Sequence, residues 1–257
     1  MSSGCVLLER HGVITVVRLV RPPANAITLE LGQEFEAAFD AAMQDEPEAI
    51  VLTGTGEFFS GGLDLKLVPA YSPAQQKTFV RVLNRMMGRL YACPVPVVGA
   101  VNGHAIAGGF ILALTADYRI GPTAGSFFGL TEARVGVPFP AATMLVLQAE
   151  LAPADLRYTI FYAGLFGPQE ARQRGLLDEL QPPAAVLERA LEMARELAST
   201  PADGYRRIKQ QVRGATIGQI EQMIATDSDP ALERWITPEV RGAAAAILGG
   251  WRNGKDR

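Results

Sequence analysis

Two stretches of this chain place glycines where main-chain amides, rather than side chains, could do chemistry. One is Gly103-His104-Ala105-Ile106-Ala107-Gly108-Gly109-Phe110; the other runs Gly54-Thr55-Gly56-Glu57-Phe58-Phe59-Ser60-Gly61-Gly62-Leu63-Asp64-Leu65-Lys66. Glycine lets a ligand approach the backbone closely, and the first N–H groups of a helix lack intrahelical partners. Such groups bind an anion, or an oxygen that turns negative during a reaction. A Gly-rich turn also serves simply to pack a helix on a strand, so either loop alone is ambiguous. Together they say more. If the strands ahead of them are parallel neighbours, both loops emerge at one edge of the sheet, where α/β folds bind ligands. One N–H from each could then converge on a single carbonyl oxygen.

The flanking elements suit that arrangement. Residues 49–53 and 95–101 are short apolar runs that read as buried strands, and Phe110-Ile111-Leu112-Ala113-Leu114 reads as a helix. Residues 6–19 predict two strands around a turn at His11-Gly12. Residues 29–43 put Leu31, Phe35, Ala38, Phe39 and Ala42 on one helical face. Ser72-Pro73-Ala74-Gln75 is a helix start with a capping box, and that helix is expected to reach about Leu90. Strand and helix alternate to roughly residue 130, as βαβ crossovers require. Beyond Pro140, helices are expected over 141–150, 153–163, 168–175 and 184–199. The one strand candidate there is Leu176-Leu177, and a last Ala-rich helix opens at Thr237-Pro238-Glu239. The division expected is an α/β core over 1–195 and a helical oligomerisation region over 196–257.

Composition narrows the function. With 257 residues, 48% hydrophobic and 20% charged, the chain can bury one sizeable core. A net charge of −3 argues against a general nucleic-acid or membrane-surface binder. Cys5 and Cys93 are expected to be ordinary reduced thiols. No leader pattern or membrane-length apolar run stands out, so the expected location is cytoplasmic.

Phe59-Ser60-Gly61-Gly62-Leu63-Asp64-Leu65 and Asn102-Gly103-His104-Ala105-Ile106-Ala107-Gly108-Gly109 resemble the crotonase superfamily of enoyl-CoA hydratases and isomerases. The likeness continues through Ala116-Asp117-Tyr118-Arg119-Ile120, Phe128-Gly129-Leu130-Thr131-Glu132-Ala133-Arg134-Val135-Gly136, Gly164 to Ala171, and Gly175-Leu176-Leu177-Asp178. The resemblance implies a spiral of ββα units, a C-terminal helical region that builds trimers or hexamers, and an acyl-CoA substrate. No cofactor beyond that coenzyme A thioester is expected, and no metal, nucleic acid or membrane. It implies that the amides of Leu63 and Gly108 hold the thioester oxygen.

The family's hydratases use two glutamates. One position, three residues after the donor glycine, is Ile111 here; the other is Glu132. A single carboxylate suits a shift of the double bond from C3 to C2 of an enoyl-CoA, and the resemblance to single-glutamate isomerases favours that reaction. Hydratase, thioester hydrolase or decarboxylase chemistry is the alternative, and a catalytically silent acyl-CoA-binding scaffold a further one. A dinucleotide-binding domain fits poorly, because no G-x-G-x-x-G stands at a first βα turn.

The resemblance also puts Ala24, Ala26, Gly61, Gly62, Asp64, Leu65, Lys66, Gly109, Ile111, Phe139 and Lys255 around the substrate. Asp64 is expected to order its own loop, Ser60 to bond within it, and His104 to order the Gly-rich turn. Phe139 is expected either in the acyl pocket or in the core. Lys66 and Lys255 are candidates to attract the coenzyme A phosphates, although surface lysines are usually just solvated.

Overall fold

β1 (Val6–His11) and β2 (Ile14–Leu19), the second opening on four β-branched residues, pair antiparallel around the turn at Gly12. Thr28 then caps α1 (Leu29–Gln44), its hydroxyl accepting from the Leu31 amide. Three further turns repeat a strand–strand–helix pattern. They are β3 (Ala49–Thr53), β4 (Phe58–Ser60) and α2 (Pro73–Tyr91); β5 (Val97–Ala100), β6 (His104–Ile106) and α3 (Gly108–Leu114); and β7 (Tyr118–Pro122), β8 (Phe128–Gly129) and the single-turn α4 (Glu132–Val135). The first strand of each turn joins one sheet and the second joins another. The sheets run β1-β2-β3-β5-β7-β10 and β4-β6-β8-β9 among the described residues.

This computed structural model describes residues 4–233, 235–237 and 240. The helix expected from Thr237 onward, with Lys255, lies largely outside them.

The remaining elements are α5 (Ala141–Glu150), α6 (Pro153–Phe161), β9 (Leu165–Phe166), α7 (Pro168–Gln173), β10 (Glu179–Gln181), α8 (Val186–Ala198) and α9 (Ala202–Thr226). The parallel strands of the large sheet are covered on both faces, as such sheets require. Ile14, Val16, Val51, Val98 and Ile120 pack on one side against Val186, Ala190 and Leu191 of α8. Val17, Leu19, Ile50, Leu52 and Val97 face the main core with α1 and α2. The expected capping box is present: Ser72 Oγ accepts from Gln75 N, and the Gln75 side chain accepts from Ser72 N.

One expectation fails. Leu176-Leu177 is not a strand; both residues are buried after α7, and the strand lies at Glu179–Gln181, parallel to β7. Helix α9, 25 residues long, lies within the region expected to be helical. It buries Lys209 and Arg213 and exposes Ile208 and Val212, which inverts the usual helical pattern. The expected 195/196 division falls in the last turn of α8. No described helix is long and apolar enough to cross a membrane.

Candidate active site

Strands β3 and β5 are parallel neighbours, pairing Ile50 with Val97 through Thr53 with Ala100. Their glycine loops therefore leave the sheet at the same edge, as expected, and they pack directly on each other. A methyl group at Gly109 would stand 2.1 Å from the Ser60 carbonyl oxygen, so only glycine allows this approach. Gly62 has φ +77°, and a methyl there would lie 2.7 Å from Ala107 Cβ and 2.8 Å from the Gly108 nitrogen.

The two donor amides face this junction. Ile27 N donates to Gly62 O and Asp64 N to Ile27 O, which turns the intervening Leu63 N–H the other way. Ala107 holds φ +54°, ψ −130°, a strained conformation for a residue with a Cβ. It is fixed from both sides: its N–H donates to Gly129 O at 2.8 Å, and its carbonyl accepts from Phe110 N and Ile111 N. Gly108 follows as the first residue of α3. Neither the Leu63 nor the Gly108 N–H donates to any acceptor among the described residues. A methyl added at Gly108 would stand 3.9 Å from the Leu63 nitrogen, so the two amides are close neighbours.

Both line one cavity, together with Glu132 and Ile111. Its walls are otherwise apolar: Ile27 beside the loops, Leu83 and Met87 from α2, Val137 through Pro140 after α4, and Trp235. Its free volume is about 20 Å³, room for roughly one water molecule. Glu132 is the only ionisable side chain lining it among the described residues. The Thr143 hydroxyl, the other polar side-chain group apart from the Trp235 N–H, donates to Pro140 O at 2.5 Å. Glu132 is 6% exposed, and one carboxylate oxygen accepts the Thr131 amide at 2.9 Å. Burial without a cationic partner pushes its pKa up to about 7, against a smaller downward pull from its own amide and that of Thr131. Such a group can both take and return a proton near neutral pH.

Similarity to known proteins agrees with this geometry. A family model described as enoyl-CoA hydratase/isomerase matches residues 9–234. The chain belongs to that family. Carnitinyl-CoA dehydratase of Escherichia coli O157:H7 is 30% identical over 250 residues, covering 96% of this chain and 94% of that protein. The crystal structure of an enoyl-CoA hydratase, ECHA3, from Mycobacterium marinum superposes with a TM-score of 0.80 at 32% identity, covering 86% and 97% of the two chains. Human mitochondrial delta3-delta2-enoyl-CoA isomerase superposes at 0.87 with 26% identity, covering 98% and 99%. This family member is thus an enzyme of the enoyl-CoA hydratase/isomerase type with the crotonase fold.

Of the site residues expected from sequence, Leu63, Gly108, Ile111, Glu132 and Phe139 meet in the cavity. Ala24, Ala26, Gly61, Gly62, Asp64, Leu65, Lys66 and Gly109 do not line it. Gly61 N donates to Ala24 O, so that group forms the loop layer behind the amides. Asp64 behaves as its loop requires: Oδ1 accepts from Lys66 N and Leu67 N, and Oδ2 pairs with Arg21 at 2.9 Å. Ser60 Oγ donates to Asn25 O and accepts from Gly62 N. His104 stacks between Phe58 and Phe127, with Nδ1 accepting the Phe127 amide, and burial lowers its pKa. Lys66 is exposed.

Sequence reasoning missed Ile27, Leu83, Met87, Thr143 and Trp235 as cavity walls. Leu83 and Met87 sit one turn apart on the buried face of α2, so periodicity marks them as interior without saying which interior. It also missed Asn25, whose Nδ2 donates to Thr55 O and Phe58 O while Oδ1 accepts from Arg21 N, joining the 21–26 loop to the first glycine loop. An Asn beside prolines in a turn was the available signal. Outside the cavity, Cys5, Glu30 and Glu34 hold the only group of three potential metal-ligand atoms found among the described residues, within 4.8 Å of one another. Glu34 already accepts the Cys5 amide.

Proposed function

We propose that the protein moves a double bond from C3 to C2 of an enoyl-CoA. The Glu132 carboxylate takes a proton from C2, and the C–H electron pair moves toward the thioester carbonyl. Its oxygen becomes a dienolate oxyanion, stabilised by the Leu63 and Gly108 N–H groups. The carbonyl then re-forms, a C2=C3 bond appears, and C4 takes the proton back from the Glu132 carboxyl. Atoms and electrons balance within the substrate and one side chain, so neither water nor a redox cofactor enters. The observation that carries the reading is the lone ionisable group in an apolar cavity. Ile111, 1% exposed, stands where the resemblance expects the second carboxylate of a hydratase.

The loops around Ala24, Ala26 and Gly61 to Lys66 are assigned to the coenzyme A portion, with exposed Lys66 near its phosphates; Lys255 lies outside the described residues. A homotrimer or homohexamer remains the expected assembly, which sedimentation velocity would measure. The hydratase and dehydratase names among the relatives favour a second reading, addition of water to a 2-enoyl-CoA.

One incubation separates the readings. Purified protein is given 3-hexenoyl-CoA and, separately, crotonyl-CoA, and products are followed by mass spectrometry. Isomerisation at unchanged mass supports our proposal. Gain of one water from crotonyl-CoA with no isomerisation supports the hydratase. Release of free acid supports a hydrolase, and inertness with measurable coenzyme A binding a silent scaffold.

A further inference from the structure

The cavity beside Glu132 is walled in part by a residue far from it in sequence. Trp235 is 2% exposed, and its indole N–H donates to the Pro138 carbonyl at 2.7 Å. Its ring meets the edge of Phe79 on α2, with centroids 5.7 Å apart and planes at 61°. The bond to Pro138 fastens it to the segment that follows the Glu132 turn. Leu83 and Met87 belong to a 19-residue capped helix, whereas Trp235 lies outside regular secondary structure. It is the largest side chain in the cavity wall.

We propose that Trp235 is the specificity-determining plug of the acyl pocket, restricting the protein to short, straight acyl groups without polar substituents. This rests on the acyl-CoA reading above. The free volume of about 20 Å³ holds roughly one water, so any acyl group must displace wall side chains, and the indole is the largest of these; the longer the chain, the further the ring must yield. The polar side chains that line it are already used: Thr143 donates to Pro140, Trp235 to Pro138, and Glu132 is reserved for the proton shift. A hydroxyl or ammonium on the acyl group would therefore be buried without a partner there. Removing the indole joins the cavity to the volume the ring fills, beside Phe79.

The test is calorimetric binding of butyryl-, hexanoyl- and decanoyl-CoA, which are saturated and so report acyl length without turnover. In a pocket open to the tail, each added methylene tightens binding by up to about fourfold. Wild-type protein is expected to bind decanoyl-CoA at least tenfold more weakly than hexanoyl-CoA. Trp235→Ala is expected to reverse that order, with decanoyl-CoA bound at least as tightly. Trp235→Leu, which keeps an apolar side chain against Phe79, serves if the alanine variant does not fold, and should move the ratio the same way. Trp235→Phe should keep the wild-type order. A merely structural role would weaken all three ligands together and leave the ratio alone. Steadily tighter binding with length in wild type, or an unchanged ratio in both the Ala and Leu variants, overturns the proposal. Absence of 3-enoyl turnover with the length ranking intact would sink the isomerase reading and leave this one standing. Failure to bind any acyl-CoA would sink both.

Discussion

Two regions of this molecule turn carboxylates inward and treat them oppositely. Under α9, Asp117 accepts from Lys209 at 2.7 Å and Arg213 at 2.9 Å. Arg213 also reaches Glu150 at 3.0 Å, and Arg119 pairs with Asp178 at 3.1 Å. The Arg213 guanidinium lies 4.2 Å from the Tyr91 ring centroid and donates to the carbonyls of Thr115 and Ala116. Each charge there meets an opposite one, so the cluster is a fastening between α9 and the sheet. In the cavity, Glu132 meets two amides and hydrocarbon. A paired carboxylate holds structure; an unpaired one is left able to exchange a proton.

The comparison can be broken at either end, and the largest effect belongs to Glu132. Glu132→Gln is expected to lower isomerase turnover by about 10³-fold, the scale of a lost general base. The same change should stabilise the protein above neutral pH. The folded carboxyl keeps its proton up to about pH 7, whereas the unfolded one loses it near 4.5. The folded state thus binds more protons between those values, and stability falls as pH rises through about 7. Over that interval the loss is about 3 kcal/mol. Glu132→Gln escapes it, so urea unfolding at pH 8 should show the variant more stable than wild type, with the advantage absent below pH 4.5.

Asp117→Ala should do the reverse. It strands Lys209 in the interior, leaves Arg213 with Glu150 as its one carboxylate, and is expected to cost about 3–5 kcal/mol in urea unfolding. A cost below about 1 kcal/mol would mean the cluster holds nothing, in the range of an exposed pair. Gly62→Ala comes next. Its Cβ must displace the Gly108 amide, so kcat on 3-hexenoyl-CoA is expected to fall by about 10²–10³-fold with KM little changed. Ile111→Glu should have the smallest effect on rate. A second carboxyl beside Glu132 disfavours its ionisation and should move the acid limb of the pH profile up by about 1 unit. Steady-state rates across pH, with crotonyl-CoA hydration assayed in parallel, would read this variant.

Much of the catalytic layer was legible because it is local. The strand-then-glycine-loop pattern occurs within 18 residues of one strand in each case, and main-chain donors need only that local geometry. Glu132 itself looked like any loop carboxylate; only its place in a family pattern marked it. The cavity walls were not legible, since Leu83, Met87 and Trp235 meet there through tertiary packing that periodicity does not encode. Leu176-Leu177 misled for a related reason. Leu177 packs against Gly121 on the face of the sheet and so is apolar without being a strand. Within the region expected to be helical, α9 was not delimited because its buried side chains include Lys209 and Arg213, whose shared partner Asp117 lies over 90 residues away.

The most direct test of the proton shuttle is the pH dependence of kcat/KM for 3-hexenoyl-CoA between pH 5 and 9. A base made weakly acidic by burial predicts activity that rises through one ionisation near pH 7 and then stays level. A flat profile, or an inflection at the ordinary carboxylate value near 4.5, would contradict the assignment of Glu132 as that base.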